Sequence, residues 1–280
     1  MRTQHSKVAL VTGASSGIGK ATATALVSAG YITYATGRRV EALSALEDLG
    51  CRVLQLDVTD DASMVAAVRA VETEQRAISV LVNNAGYGEM GPLEELAMVD
   101  VRREFETNVF GLLRMCQLVL PGMRQQAYGR IVNIGSVGGL FTAPGAGAYH
   151  ASKYAVESFS DALRYEVQPF GVDVVLIEPT GVRTPYVEKS IATIPQAGSD
   201  SPYAVFNKNL DTGIQQMFAP SARGILAPQD VARVVVEAVQ ARRPRTRYKV
   251  GLVAHILPLV RRLLSDRKWD ALMRLQFPMS

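Results

Sequence analysis

A tyrosine stands four residues ahead of a lysine in AYHASKYAVESFS (Ala148 to Ser160), so a helix there carries a phenol and an ammonium on one face. Tyr149 alone is a poor acid/base group, because a free phenol titrates near ~10. An ammonium a few ångström away favours the phenolate, so Lys153 is expected to lower that value. Tyr149 then gives a proton to a carbonyl oxygen, or takes one from an alcohol, near neutral pH. Ser136 closes an apolar run and can hold the same oxygen through its hydroxyl. Asn108 lies in the apolar helical stretch NVFGLLRMCQLVL, where an amide requires partners. Each residue also has an ordinary structural reading: a strand-end cap for Ser136, a satisfied core amide for Asn108, a solvated charge for Lys153. Tyr154 adjoins Lys153 but points about 100° away on a helix, so it is expected to be dispensable for chemistry.

Proton transfer of this kind needs a redox partner, and the first turn offers a place for one. VALVTGASSGIGKATATALVSAG reads as strand, glycine turn and helix, with Gly13, Gly17 and Gly19 in the turn and Gly30 as helix stop. Glycine permits the tight turn and lets the backbone approach a phosphate at the positive helix end. Ser15 and Ser16 add hydroxyl donors. The second strand ends in YATGRR, where dinucleotide sites for NAD usually carry an acid for the ribose 2′-hydroxyl. Here Gly37 is followed by Arg38 and Arg39, which can grip a 2′-phosphate, so NADP(H) is favoured over NAD(H).

Seven apolar runs serve as strands: VALVTG, YITYATG, RVLQLDV, SVLVNNAG, GRIVNIGS, VDVVLIEP and RYKVG. Most lack polar alternation, as parallel strands buried on both faces do. Helix-length segments separate them. This order predicts one α/β domain over residues 1–280, a doubly wound parallel sheet of about seven strands with helices on both faces. Residues 184–225 carry scattered Pro and Gly with Tyr186, Ile191, Ile194, Tyr203, Phe206, Met217 and Phe218. They read as a lid over an apolar ligand or as a packed helical hairpin.

The bulk properties set the remaining limits. Net charge is +4 over 280 residues, too mild to point to nucleic acid. Cys51 and Cys116 have neither metal-ligand nor disulfide spacing, and His5, His150 and His255 accompany no nucleophile elbow, so no metal and no serine triad is expected. The N-terminus does not read as a signal peptide, and the cysteine usage points to a reducing, cytoplasmic setting. VGLVAHILPLVRRLL is shorter than a membrane span and is interrupted by Pro258, Arg261 and Arg262. It is read as a packed amphipathic helix within a C-terminal extension over 251–280, with loose membrane contact as the alternative.

Taken in order, these motifs resemble the short-chain dehydrogenase/reductase superfamily. TGASSGIG, NNAG, NVFG, GS, YHASK and PTGVRT match its segments from about Lys7 to Thr184, and the tail is similar to the hydroxysteroid and retinol dehydrogenase branch. The resemblance implies a Rossmann-type domain and a tetrad of Asn108, Ser136, Tyr149 and Lys153, with Asn108 holding a water that resupplies Lys153 with protons. It implies a cofactor site formed by Gly13, Ser15, Ser16, Gly17, Ile18, Gly19, Arg38, Arg39, Asp57, Val58, Asn84, Ala85, Gly86, Tyr149, Lys153, Pro179, Gly181, Val182 and Thr184. Asn83 is expected to help frame it. Thr180 departs from the pattern, because many members read PG where this chain reads PTG. A homodimer or homotetramer is implied too. The function that follows is interconversion of a hydrophobic secondary alcohol and its carbonyl compound. The alternatives are a non-catalytic NADP(H)-binding regulator and an NAD-dependent epimerase or dehydratase of related fold.

Overall fold

The residues of β1 (Val8–Val11) are all buried, yet they serve two different cores. Val8 and Leu10 pack on one side of the sheet and Ala9 and Val11 on the other, as the period-two geometry of a strand requires. The computed structural model describes residues 6–195, 201–219 and 221–278. Its remaining strands are β2 (Ile32–Gly37), β3 (Arg52–Gln55), β4 (Val80–Asn83), β5 (Gly129–Ile134), β6 (Val172–Pro179) and β7 (Arg247–Val250). All pair in parallel in the order β3-β2-β1-β4-β5-β6-β7. Seven runs become seven strands of a single Rossmann-type domain.

Helices cover both faces. α1 (Gly17–Ser28), α2 (Ser44–Glu47) and α9 (Pro228–Gln240) bury Ala23, Leu26, Leu46, Val231 and Val235 against one face. α3 (Asp61–Gln75), α5 (Gly111–Gln125) and α6 (Gly147–Val167) bury Met64, Val71, Met115, Val119 and Val156 against the other. α4 (Met98–Phe105) runs into α5 through a wider π turn, Glu106–Phe110. Strand order reverses between β1 and β4, and parallel strands put every carboxyl end on the same edge. A crevice therefore opens where the loops after β1 and β4 part, the usual ligand site of such sheets.

α7 (Pro185–Ile191) and α8 (Ala204–Met217) follow β6. Ile194, Phe206 and Leu210 form a small apolar cluster there, joined by Met90 and Phe277. The Asn207 amide donates to Glu95 at 2.8 Å and the Tyr203 hydroxyl to Glu94 at 2.6 Å, pinning α8 to the loop after β4. Residues 196–200 and 220, which fall in the stretch read as lid or hairpin, lie outside the described residues, as does His5. α10 (Leu252–Leu263) continues through Pro258, and α11 (Asp266–Gln276) follows it. Thr180 prolongs the pairing of β6, its N–H donating to the Val250 carbonyl at 3.1 Å.

One charged cluster ties α6 to the sheet. Arg247 of β7 lies 3.1 Å from Glu157, 2.7 Å from Asp161 and 3.1 Å from Glu178. Glu178 is fully buried at the end of β6, and Glu157 nearly so. Burial, followed by the repulsion of Glu178, pushes the Glu157 carboxyl up to about 7. The folded state thus holds a proton that the unfolded chain releases near ~4.3, and stability falls as pH rises between those values. Glu157→Gln removes this dependence. Relative to the parent, the variant is expected to gain up to about 3 kcal/mol between pH ~4.3 and 7, measured by urea unfolding at a series of pH values. A difference that stays flat with pH rejects the assignment.

Candidate active site

The turn after β1 can be closed only by glycines at two places. Gly13 has φ +65°, and a Cβ there would meet the Ala85 backbone at 2.8 Å; a Cβ at Gly19 would fall 2.4 Å from the Gly13 carbonyl oxygen. The Asn84 amide donates to the Thr12 and Gly13 carbonyls at 2.9 and 3.0 Å, so the loop after β4 clamps the turn from below. Ser16 caps α1 with extended backbone, and its side chain bonds none of the helix N–H groups. Gly17 faces Thr184 at the start of α7, bringing the segment after β6 over the same crevice. There Leu226 N–H donates to the Gly181 carbonyl at 3.0 Å, and Val182 forms a bridge with Leu226. Arg38 and Arg39 stand exposed after β2, with no ion pair to either among the described residues. Asp57 caps its own loop, accepting from Thr59 N–H at 2.9 Å and Thr59 Oγ1 at 2.8 Å.

Ser136, Tyr149 and Lys153 meet at the carboxyl end of β5. Ser136 Oγ accepts from Gly138 N–H at 3.0 Å. The capping bond fixes the oxygen and leaves its hydrogen for a second partner. Lys153, nearly buried, donates from Nζ to the Ile134 carbonyl at 2.9 Å and lies 5.8 Å from the Tyr149 ring centroid. Burial lowers its ammonium to about 8, against the pull of Glu104 and Glu157. The Tyr149 phenol departs from the expected direction. Burial raises its pKa, and the opposing polar contacts of the Ser136 and Tyr186 hydroxyls do not overcome that. Desolvation leads, and the buried Glu104 carboxyl adds to it. Tyr149 is therefore held as the neutral phenol, the form that donates a proton.

Asn108 sits in the π turn, a local widening often associated with functional sites. Its Oδ1 accepts from Tyr87 N–H at 3.0 Å. Its Nδ2 donates to the Tyr87 carbonyl at 2.8 Å, to Ser152 Oγ at 3.0 Å and to Glu104 at 3.4 Å. With two N–H hydrogens shared among three acceptors, the amide has no donor left for a water. The side chain is a clamp between the loop after β4 and α6.

The residues that sequence reasoning missed are those that surround the four. Ser152, fully buried, donates to the Tyr149 carbonyl at 2.7 Å and joins Tyr149 to Asn108. Glu104 is fully buried one helical turn before Asn108; burial pushes it up to about 8, and its Oε2 has no hydrogen-bond partner. The Tyr186 ring lies 5.7 Å from the Tyr149 ring, and its hydroxyl interacts with Tyr149 and Ser190 without a well-directed hydrogen bond. One expectation fails: Asn83 does not frame the crevice. It is buried, donating to Asn133 at 2.9 Å and to Cys116 Sγ at 3.3 Å, because its side chain points into the core while Asn84, next along the strand, points to the turn. The Val58 side chain packs in the core under α5. His150 packs against Tyr149, ring centroids 5.8 Å apart, with its Nδ1 2.8 Å from the Phe141 carbonyl.

A cavity of about 690 Å³ adjoins the loop that precedes Tyr149. Thr142, Gly147, Tyr203, Phe206, Trp269 and Phe277 are among its walls, so α8 and α11 both face it. Tyr154 lines it as well, on the cavity side of α6 and apart from Ser136 and Lys153.

The short chain dehydrogenase family model matches residues 7–194. A 3-ketodihydrosphingosine reductase of Bacteroides thetaiotaomicron is 37% identical over 254 residues, covering 90% of each chain. Human 17-beta-hydroxysteroid dehydrogenase type 1 is 37% identical over 273 residues, covering 92% of this chain and 81% of the relative. Among solved structures, a serine dehydrogenase complexed with NADP+ superposes with a TM-score of 0.77 at 30% identity, covering 88% of this chain and 95% of its own. A short chain dehydrogenase/reductase from Burkholderia phymatum in complex with NAD gives 0.78 at 28% identity, covering 97% of both chains. With the glycine turn, the tyrosine–lysine helix and the sheet order in place, the chain belongs to the short-chain dehydrogenase family of oxidoreductases.

Proposed function

We propose that the protein is an NADP(H)-dependent oxidoreductase that interconverts a hydrophobic secondary alcohol and its carbonyl compound. The observation that carries this reading is the meeting of Tyr149, Ser136 and Lys153 at the end of β5, beside the glycine turn that opens α1. When bound, the dinucleotide supplies or accepts the hydride. Gly13 and Gly19 let the backbone approach its phosphates, and Arg38 and Arg39, free of acidic partners, hold a 2′-phosphate. Gly37 leaves no carboxylate there to repel it.

In the reduction direction Tyr149 donates its proton to the carbonyl oxygen, which the Ser136 hydroxyl polarises and orients. Lys153 then stabilises the resulting phenolate, and the cation of an oxidised nicotinamide ring favours it further. Asn108 and Ser152 act through the backbone: they fix Tyr149 and the loop after β4 in one arrangement. The apolar walls contributed by Phe206, Trp269 and Phe277 suit a long-chain or polycyclic carbonyl compound. The names of the sphingosine-type and steroid relatives point the same way. α8, whose Phe206 and preceding Tyr203 line that chamber, serves as its lid. By family analogy the enzyme works as a homodimer or homotetramer in the cytoplasm.

Tyr149→Phe is expected to lower turnover by roughly 10²- to 10⁴-fold while NADPH binding, followed by fluorescence titration, stays within a factor of a few. Retention of most turnover with every carbonyl tested rejects the mechanism. Arg38→Glu is expected to weaken NADPH binding roughly 10- to 100-fold, the loss of a charge-assisted contact, and to leave NADH binding almost unchanged. Equal losses for both dinucleotides, or tighter binding of NADH by the parent enzyme, reject the cofactor assignment.

A further inference from the structure

α10 turns an apolar stripe outward. Leu252, Ile256, Leu259 and Leu263 are 74%, 49%, 56% and 75% exposed, with Val253 beside them. Their spacing of four, three and four residues keeps them on one face. The opposite face is already used: Ala254 is buried, and Leu257 and Val260 pack with Phe141, Trp269 and Met273. The helix is therefore seated on the protein by one side and carries a second, unpartnered apolar side. On α11 the buried positions are Trp269 and Met273, while Leu272 and Leu275 face out beside Lys268.

The charge around this face is one-sided. Residues 251–280, which carry both helices, hold five Lys and Arg residues against two Asp and no Glu, a net +3. The preceding 250 residues are net +1. Arg262, Arg267, Lys268 and Arg274 are exposed, and none joins an ion pair among the described residues. An apolar stripe in a basic rim, on helices that lie along the surface, matches an interfacial element whose apolar residues enter the acyl boundary and whose cations meet anionic headgroups. A second copy pairing symmetrically through this face would bring two such basic rims together. No helix among the described residues is long and apolar enough to cross a membrane, so the attachment is peripheral.

We propose that α10 and α11 form a docking surface for an anionic lipid bilayer. α11 presents Trp269, Met273 and Phe277 to the 690 Å³ cavity on its inner side, so docking sets the roof of that chamber at the membrane. This surface is argued from exposure and charge alone and stands independently of the proposed reaction.

The test is co-sedimentation of the full chain with vesicles of phosphatidylcholine, with and without phosphatidylglycerol. Binding is expected to be at least roughly ten-fold stronger with the anionic lipid and to weaken as salt is raised. Ile256→Glu with Leu263→Glu is expected to cut it by roughly ten-fold or more. Unfolding temperature should stay unchanged, because both side chains are solvent-exposed. Arg262→Glu with Lys268→Glu, which leaves the apolar stripe intact, should abolish the preference for anionic lipid. Failure of the parent protein to bind anionic vesicles overturns the proposal. So does a result in which Ile256→Glu with Leu263→Glu dissociates an oligomer in size-exclusion chromatography and leaves vesicle binding intact, which assigns the face to a second copy.

Discussion

A single buried amide decides whether the two halves of the crevice share one geometry. Asn108 bonds to both backbone groups of Tyr87 and to the hydroxyl of Ser152, and an amide buried among apolar side chains must find such partners or destabilise the fold. Through Tyr87 it holds the loop whose Asn84 grips the glycine turn. Through Ser152 it holds the turn of α6 that carries Tyr149. Phosphate cradle and proton donor thus take their separation from one side chain. The π turn sets that side chain's direction, at the cost of a less regular helix.

Around this clamp, burial does most of the electrostatic work. Lys153, Glu104, Glu157 and Glu178 are ionisable groups placed where water hardly reaches. Each is shifted toward its neutral form: the lysine downward, the carboxyls upward. Tyr149 follows the same rule. The same burial that keeps the Tyr149 phenol neutral keeps its proton available for donation. The polar cluster at Arg247 serves structure, since one guanidinium offsets three carboxyl groups drawn from α6 and β6.

How much of this was legible in the sequence depended on how far each signal reached along the chain. Strands buried on both faces read as unbroken apolar runs, so VDVVLIEP and VALVTG announced themselves. The glycine spacing carried the first turn, because sterics at Gly13 and Gly19 admit nothing larger. Ser136, Tyr149 and Lys153 were found by type and spacing, and the fold brings them to one strand end. What could not be read were pairings between distant segments. Glu104 looks like one more charged helix residue until burial is known, and Ser152 looks like filler between Tyr149 and Lys153. Asn83 and Asn84 are adjacent and chemically identical; only the pleat tells which one faces the turn. The Tyr149 phenol, raised where the spacing predicts a lowering, differs for a related reason. A helix spacing reveals a neighbouring ammonium but not how dry the site is.

Phe277 packs in the apolar cluster beneath α10 and α11 and also in the one beneath α8. One ring thus serves as the keystone of two arches. If α8 swings outward to admit a ligand, it uncovers the ring that keeps the terminal helix seated, so the two segments yield together. Opening of the chamber at α8 is then cooperative with α11, because both rest on the same ring.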